Sequence, residues 1–409
     1  MMTPEEYLKH ACNSIAKPRL QESTAIHRQF QKLADYILGG DFDEFIYTID
    51  CYTTEVYPRL IYFPKYNYNL MAWDNHFWDI YGRFLHMYFT YINVGSILPQ
   101  EFFINYFESM LLAYLANRCE KYPAFSRYLA EEYSKLDMKY PPYNEYEDIN
   151  DILNKIGYQQ EFNVAKIFGF CHEIAHMAFE KKNKVSQEIQ KQVIEYCELV
   201  DKFINVKREI EFRLDEKVDS DDEEYMLNIV RRLLDNTDMV LLEEVCCDII
   251  AVLVLSKFFS EECGMTHEQI ATSLSSIYYF YRCTWWLSTS EKFWSGLREV
   301  YTNIENDDAF CNQDNPYYRF GEKITDEYAV RTNFVFSFCS EKLELDIMDN
   351  RIREEFHNSG FQEILEQAIG VRFMDNVLIK TRNAKKDIVH AIAHQQKKNQ
   401  FIGWENSER

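Results

Sequence analysis

FGFCHEIAHMAFE, residues 168–180, carries His172-Glu173-Ile174-Ala175-His176 inside an apolar segment that reads as a helix. On an α-helix, residues four apart lie one above the other on the same face, so both imidazoles can reach a single metal ion. The chain has 10 His in 409 residues, and independent placement gives roughly 0.02 expected occurrences of this H-E-x-x-H pattern. Chance is therefore a weak explanation of it.

The composition around this segment points to helices as well. Gly (12) and Pro (9) are scarce against usual shares of about 7% and 5%, which leaves few turn and hairpin devices. Apolar residues at 47% and charged residues at 27% are ordinary for a globular chain. The expected fold class is mainly α, with one exception near the N-terminal region. Over about 45–73, β-branched and aromatic residues dominate, and Arg59 to Phe63 with Asn69 to Trp73 look like a short β-hairpin. Helices are expected over 1–40, ending at Gly39-Gly40, over 76–135, through His172 and His176, over 186–214, 225–260 and 265–300. An acidic loop, Asp215 to Glu224, separates two of them. The aromatic residues crowding 76–135 read as core, because rings at helical spacing bury large areas. The Pro141-Pro142-Tyr143-Asn144 turn marks a boundary. Three regions follow: an aromatic-rich helical region with the hairpin (1–150), a region around the histidines (151–340), and a helical C-terminal region with a basic tail (341–409).

Forty-four Lys plus Arg face 66 Asp plus Glu, a net charge of −22. Phosphate contacts need a basic face, so no nucleic-acid partner is expected. The basic run of Lys380, Arg382, Lys385, Lys386, Lys397 and Lys398 reads as a solvated helix or tail. Eleven cysteines, an odd number without a C-x-x-C pair, read as reduced intracellular thiols. The opening residues MMTPEEYLKHACNS lack a signal-peptide pattern. The longest near-continuous apolar stretch, Ile249 to Leu255, falls far short of the roughly 20 residues that span a bilayer. A soluble, cytoplasmic protein without membrane contact is the expectation.

A catalytic zinc needs a third protein ligand and an open position for water. The strongest candidate lies in LLEEVCCDIIAVLVL, residues 241–255, where Glu244 and Asp248 share a helical face within a very apolar run. Burying carboxylates without partners is costly. Zinc would satisfy Glu244, and Asp248 would accept the remaining ring N–H of a metal-bound histidine. Glu243 and Cys247 stand as fallback ligands.

An H-E-x-x-H helix followed, 68 residues after His176, by an E-x-x-x-D helix resembles the gluzincin metallopeptidases, and among them soluble bacterial peptidases of the phage-exclusion and regulatory type. The resemblance covers about 100 residues around the motif and none of 1–150 or 340–409. It implies His172, His176 and Glu244 as Zn2+ ligands, Glu173 as general base and Asp248 behind the ligands. The implied activity is zinc-assisted hydrolysis of a peptide bond in an intracellular protein or peptide. Glu173 would take the proton of the zinc-activated water and deliver it to the leaving amine. The hairpin's edge would pair with an extended substrate. Tyr328 and Arg331, in DEYAVRTNF, are the candidates for stabilising the developing oxyanion.

Two rivals remain open at this stage. Glu173-x-x-His176 and Glu354-x-x-His357 are both E-x-x-H pairs, the pattern of di-iron or di-manganese helical bundles, with Glu244 between them. Alternatively, the chain is a helical interaction protein whose motif is inactive. His390 and His394 repeat the four-residue spacing without the glutamate and read as a surface or packing pair.

Overall fold

A computed structural model describes residues 24–39, 45–51, 59–63, 68–95, 98–118, 157–214, 221–235, 239–302, 331–347 and most of 352–371. The described part is mainly α-helical. The first helix, α1 (Thr24–Leu38), ends where Gly39 takes φ 68°, a left-handed conformation that glycine adopts without a Cβ clash. Its N–H donates to Asp35 O at 2.9 Å.

Three strands follow: β1 (Phe45–Cys51), β2 (Arg59–Phe63) and β3 (Tyr68–Asp74). The sheet order is β1-β3-β2, with β1 parallel and β2 antiparallel to β3. Sequence spacing singles out no separate strand at 45–51, because a parallel partner is not announced by any local turn. Among the described residues, β2 lies at an edge of the sheet.

The helices α2 (Asn75–Val94), α3 (Gln100–Arg118), α4 (Gln159–Glu180), α5 (Lys184–Leu214), α6 (Asp221–Leu234), α7 (Met239–Glu261), α8 (His267–Ser275) and α9 (Ile277–Thr302) build most of the rest. Further helix covers 331–343, and Phe361–Glu366 runs into a short π-helix at Gln367–Val371. Asp74 starts α2 by accepting from His76 N at 2.9 Å. Thr266 and Gln269 cap α8 reciprocally, which satisfies two N–H groups that the helix itself leaves unpaired.

The expected acidic loop is shorter than its sequence suggests. Residues 221–224 form the first turn of α6. The boundary at 141–144 and the basic tail lie outside the described residues.

The aromatic crowd is core. Phe77, Trp78, Tyr81, Phe84 and Tyr88 line the buried face of α2, and Phe103 and Phe107 do so on α3. Phe84, Phe107, Trp286 and Phe361 meet edge-on or tilted at centroid distances of 5.3–6.1 Å. Such contacts suit the charge distribution of aromatic rings. Against this aromatic layer sits the pair α4 and α7, with α1 packed on both. The site is built on that pair. Among the described residues, no helix is long and apolar enough to cross a membrane. Cys171, Cys197, Cys246, Cys247, Cys283 and Cys339 are buried free thiols, and Cys263 is an exposed one.

Candidate metal centre

Helix α4 buries Phe168, Cys171, Ile174, Ala175 and Ala178 and leaves His172, Glu173 and His176 partly accessible on its other side. The four-residue spacing brings the two imidazoles together edge to face, with centroids 4.9 Å apart. Their Nε2 atoms approach to 3.2 Å. From α7, Glu244 places Oε2 3.3 Å from His172 Nε2 and Oε1 3.5 Å from His176 Nε2. Zinc ligands about 2.0–2.1 Å from a tetrahedral ion stand about 3.3–3.4 Å from one another. The spacing and the nitrogen and oxygen donors therefore fit such an ion. Among the described residues, His172, His176 and Glu244 are the one grouping of this kind.

The second nitrogen of each ring is engaged by a carboxylate. His172 Nδ1 lies 2.8 Å from Asp248 Oδ1, and His176 Nδ1 lies 2.9 Å from Glu243 Oε1. The hydrogen bond between Glu243 and His176 Nδ1 selects the tautomer that leaves that ring's Nε2 as the ligand atom, while Asp248 faces His172 Nδ1 as an ion-pair contact. Glu243, a fallback ligand by sequence, is thus placed behind His176, while its neighbour Glu244 faces the histidine nitrogens. Cys247, the other fallback, is wholly buried, and that burial, with Glu244 and Asp248 nearby, pushes its thiol up. A thiol held protonated is a poor ligand.

Arg331 reaches this cluster from the start of the 331–343 helix. Its Nε donates to Asp248 Oδ2 at 2.8 Å and Nη2 to Asp248 Oδ1 at 3.0 Å. Nη1 lies 3.1 Å from Glu244 Oε2. The residue is buried. Sequence reasoning gave Arg331 to a substrate oxyanion. In the structure its guanidinium lies against the site's own acids, the buried Asp248 and the partly buried Glu244, which a cation stabilises. Tyr328, Glu354, His357, His390 and His394 lie outside the described residues.

Glu173 sits between the histidines in sequence and points toward the sheet. The N–H of Leu60, on β2, donates to Glu173 Oε2 at 3.3 Å. Sequence could not identify this contact, since every residue carries the same backbone donor. Burial raises the Glu173 carboxyl pKa, against the lowering effect of His172, His176 and the Leu60 N–H. A carboxylate shifted upward accepts a proton more readily near neutral pH.

Burial disfavours a charged His172, but Asp248 and Glu244 outweigh it and the ring is pushed up to about 10. Burial would raise Asp248 and Glu244, yet Arg331 and His172 at the former, and His172 followed by Arg331 at the latter, hold both below the ordinary carboxylate range. Without metal, His172 carries a proton at neutral pH, and a metal must displace it. Zinc affinity is therefore expected to weaken about tenfold for each unit the pH falls below neutrality. Competition with a chromophoric chelator at three pH values measures this, and a flat profile would rule out a protonated His172.

Comparison with protein-family models, curated proteins and solved structures returned no match. The functional reading rests on the residues themselves.

Proposed function

We propose that this protein is a zinc-dependent metallopeptidase of the gluzincin type, acting on a peptide bond of an intracellular protein or peptide in the cytoplasm. The observation that carries the reading is the convergence of His172 Nε2, His176 Nε2 and Glu244, with each Nδ1 engaged by a carboxylate. Two histidines and one carboxylate leave a fourth tetrahedral position for water or substrate.

Bound zinc supplies a water of lowered pKa and polarises the carbonyl under attack. Glu173, one residue from His172, would accept a proton from the attacking water and return it to the departing nitrogen. Its raised pKa suits both transfers. Leu60 N–H holds one Glu173 oxygen and leaves the other for the proton. Among the described residues β2 is an edge strand beside α4, so an extended substrate would add to the sheet there through main-chain hydrogen bonds.

Elemental analysis of protein purified without a metal-binding tag tests the reading. One zinc per chain is expected, with near-complete loss in Glu244→Ala while the fold, followed by circular dichroism, persists. Zinc unaffected by Glu244→Ala, or two iron or manganese ions per chain, would overturn it.

A further inference from the structure

The guanidinium of Arg331 serves two carboxylates of one helix. Glu244 and Asp248 are four residues apart on α7 and therefore share a face. Asp248 receives the Nε and Nη2 edge, at 2.8 and 3.0 Å. The remaining nitrogen, Nη1, lies 3.1 Å from Glu244 Oε2. Asp248 is fully buried and its Oδ1 also lies 2.8 Å from His172 Nδ1, so it cannot swing to follow the arginine. The guanidinium carbon lies 5.9 Å from the Tyr281 ring centroid, a further restraint on where the side chain can go. A planar fork held along one edge has a fixed direction for its third nitrogen. Here that direction ends on one oxygen of a metal ligand.

A glutamate can bind zinc through one oxygen or chelate it through two. With two histidines present, chelation would fill a tetrahedral shell, and water could then join only by raising the coordination number to five. We infer that Arg331 is a positioning residue which, by engaging Glu244 Oε2, favours metal binding through Oε1, the oxygen 3.5 Å from His176 Nε2, and so keeps one coordination position of the metal open. The inference rests on the metal-site reading above and adds what sets the ligand's mode. It also accounts for an arginine in a place where a single ammonium would neutralise charge but could not reach both acids.

The test uses full-length protein loaded with cobalt(II) in place of zinc, with wild type, Arg331→Met and Arg331→Lys compared by visible absorption before and after azide. Wild type should show the intense bands of four-coordinate cobalt, and azide should shift them by entering the open position. Both variants should show weaker bands, from a higher coordination number, and lose most of the azide response. Arg331→Lys keeps a cation beside Asp248 and so guards against loss of the fold. Variants with the wild-type spectrum and azide response would overturn the inference while leaving the metal site intact. Should neither variant fold, wild type decides alone, because weak bands without an azide response mean that Glu244 chelates. Wild type that binds neither cobalt nor zinc would sink the metallopeptidase reading itself.

Discussion

Glu173→Gln is expected to cut peptide hydrolysis by a factor on the order of 10²–10⁴ while leaving zinc content unchanged. Gln has the shape of Glu and keeps an oxygen that accepts from Leu60 N–H, so the contact at 3.3 Å survives. What disappears is the ability to take and return a proton. Glu173 is not among the three converging ligand residues, so the metal has no reason to leave. The measurement is cleavage of a mixed peptide library read by mass spectrometry, with metal content determined on the same samples. Equal cleavage by the two proteins would remove Glu173 from the mechanism. Loss of cleavage together with loss of zinc would make it a ligand instead.

Asp248→Ala should have the largest effect on stability. It strips a buried guanidinium of both its hydrogen-bonded partners on that edge and leaves His172 Nδ1 without its carboxylate. Removing one member of a buried ion pair costs about 3–5 kcal/mol, because the other charge remains desolvated. Denaturant unfolding of the metal-free protein reads this loss. Zinc affinity should also fall about 10- to 100-fold, as is usual when the partner of a metal-bound histidine is removed. The pH dependence has a defined sign. Arg331 and His172 hold Asp248 below the ordinary carboxylate range despite its burial. Its contribution is therefore complete above the unfolded-state pKa of about 3.9 and is lost as the pH falls through the lower folded value. A difference between wild type and Asp248→Ala that persists undiminished at acidic pH would contradict the pairing.

Much of the site is legible in sequence because its residues violate their surroundings. The two histidines of α4 share a face by their four-residue spacing, and Glu244 and Asp248 are acids in a run of aliphatic residues. Spacing says less about adjacent residues. Glu243 and Glu244 differ by about 100° around the helix, and which one faces the paired histidine nitrogens depends on how α7 is rotated against α4. Packing decides that, and it turns Glu244 to the histidine nitrogens and Glu243 to the outer side of His176. Arg331 lies 83 residues from Asp248. Nothing local distinguishes an arginine that will bind substrate from one that will clamp a buried acid. The mainly helical class follows from the shortage of Gly and Pro, whereas the parallel pairing of β1 with β3 has no turn to betray it. The first turn of α6 reads as loop because four successive acids are ambiguous between a solvated loop and a well-placed helix start.

The contact between Leu60 and Glu173 acts as a ruler. It pins one backbone rung of the edge strand to the residue proposed to handle protons, so any chain laid along β2 is counted from that rung. Side chains of an extended strand alternate faces with a period of two residues. A substrate that slips by one residue presents its opposite face to the protein, and only a slip of two restores the pattern. Preferred cleavage positions in a series of register-shifted peptides should then fall two residues apart, about 6.6–6.8 Å along the strand.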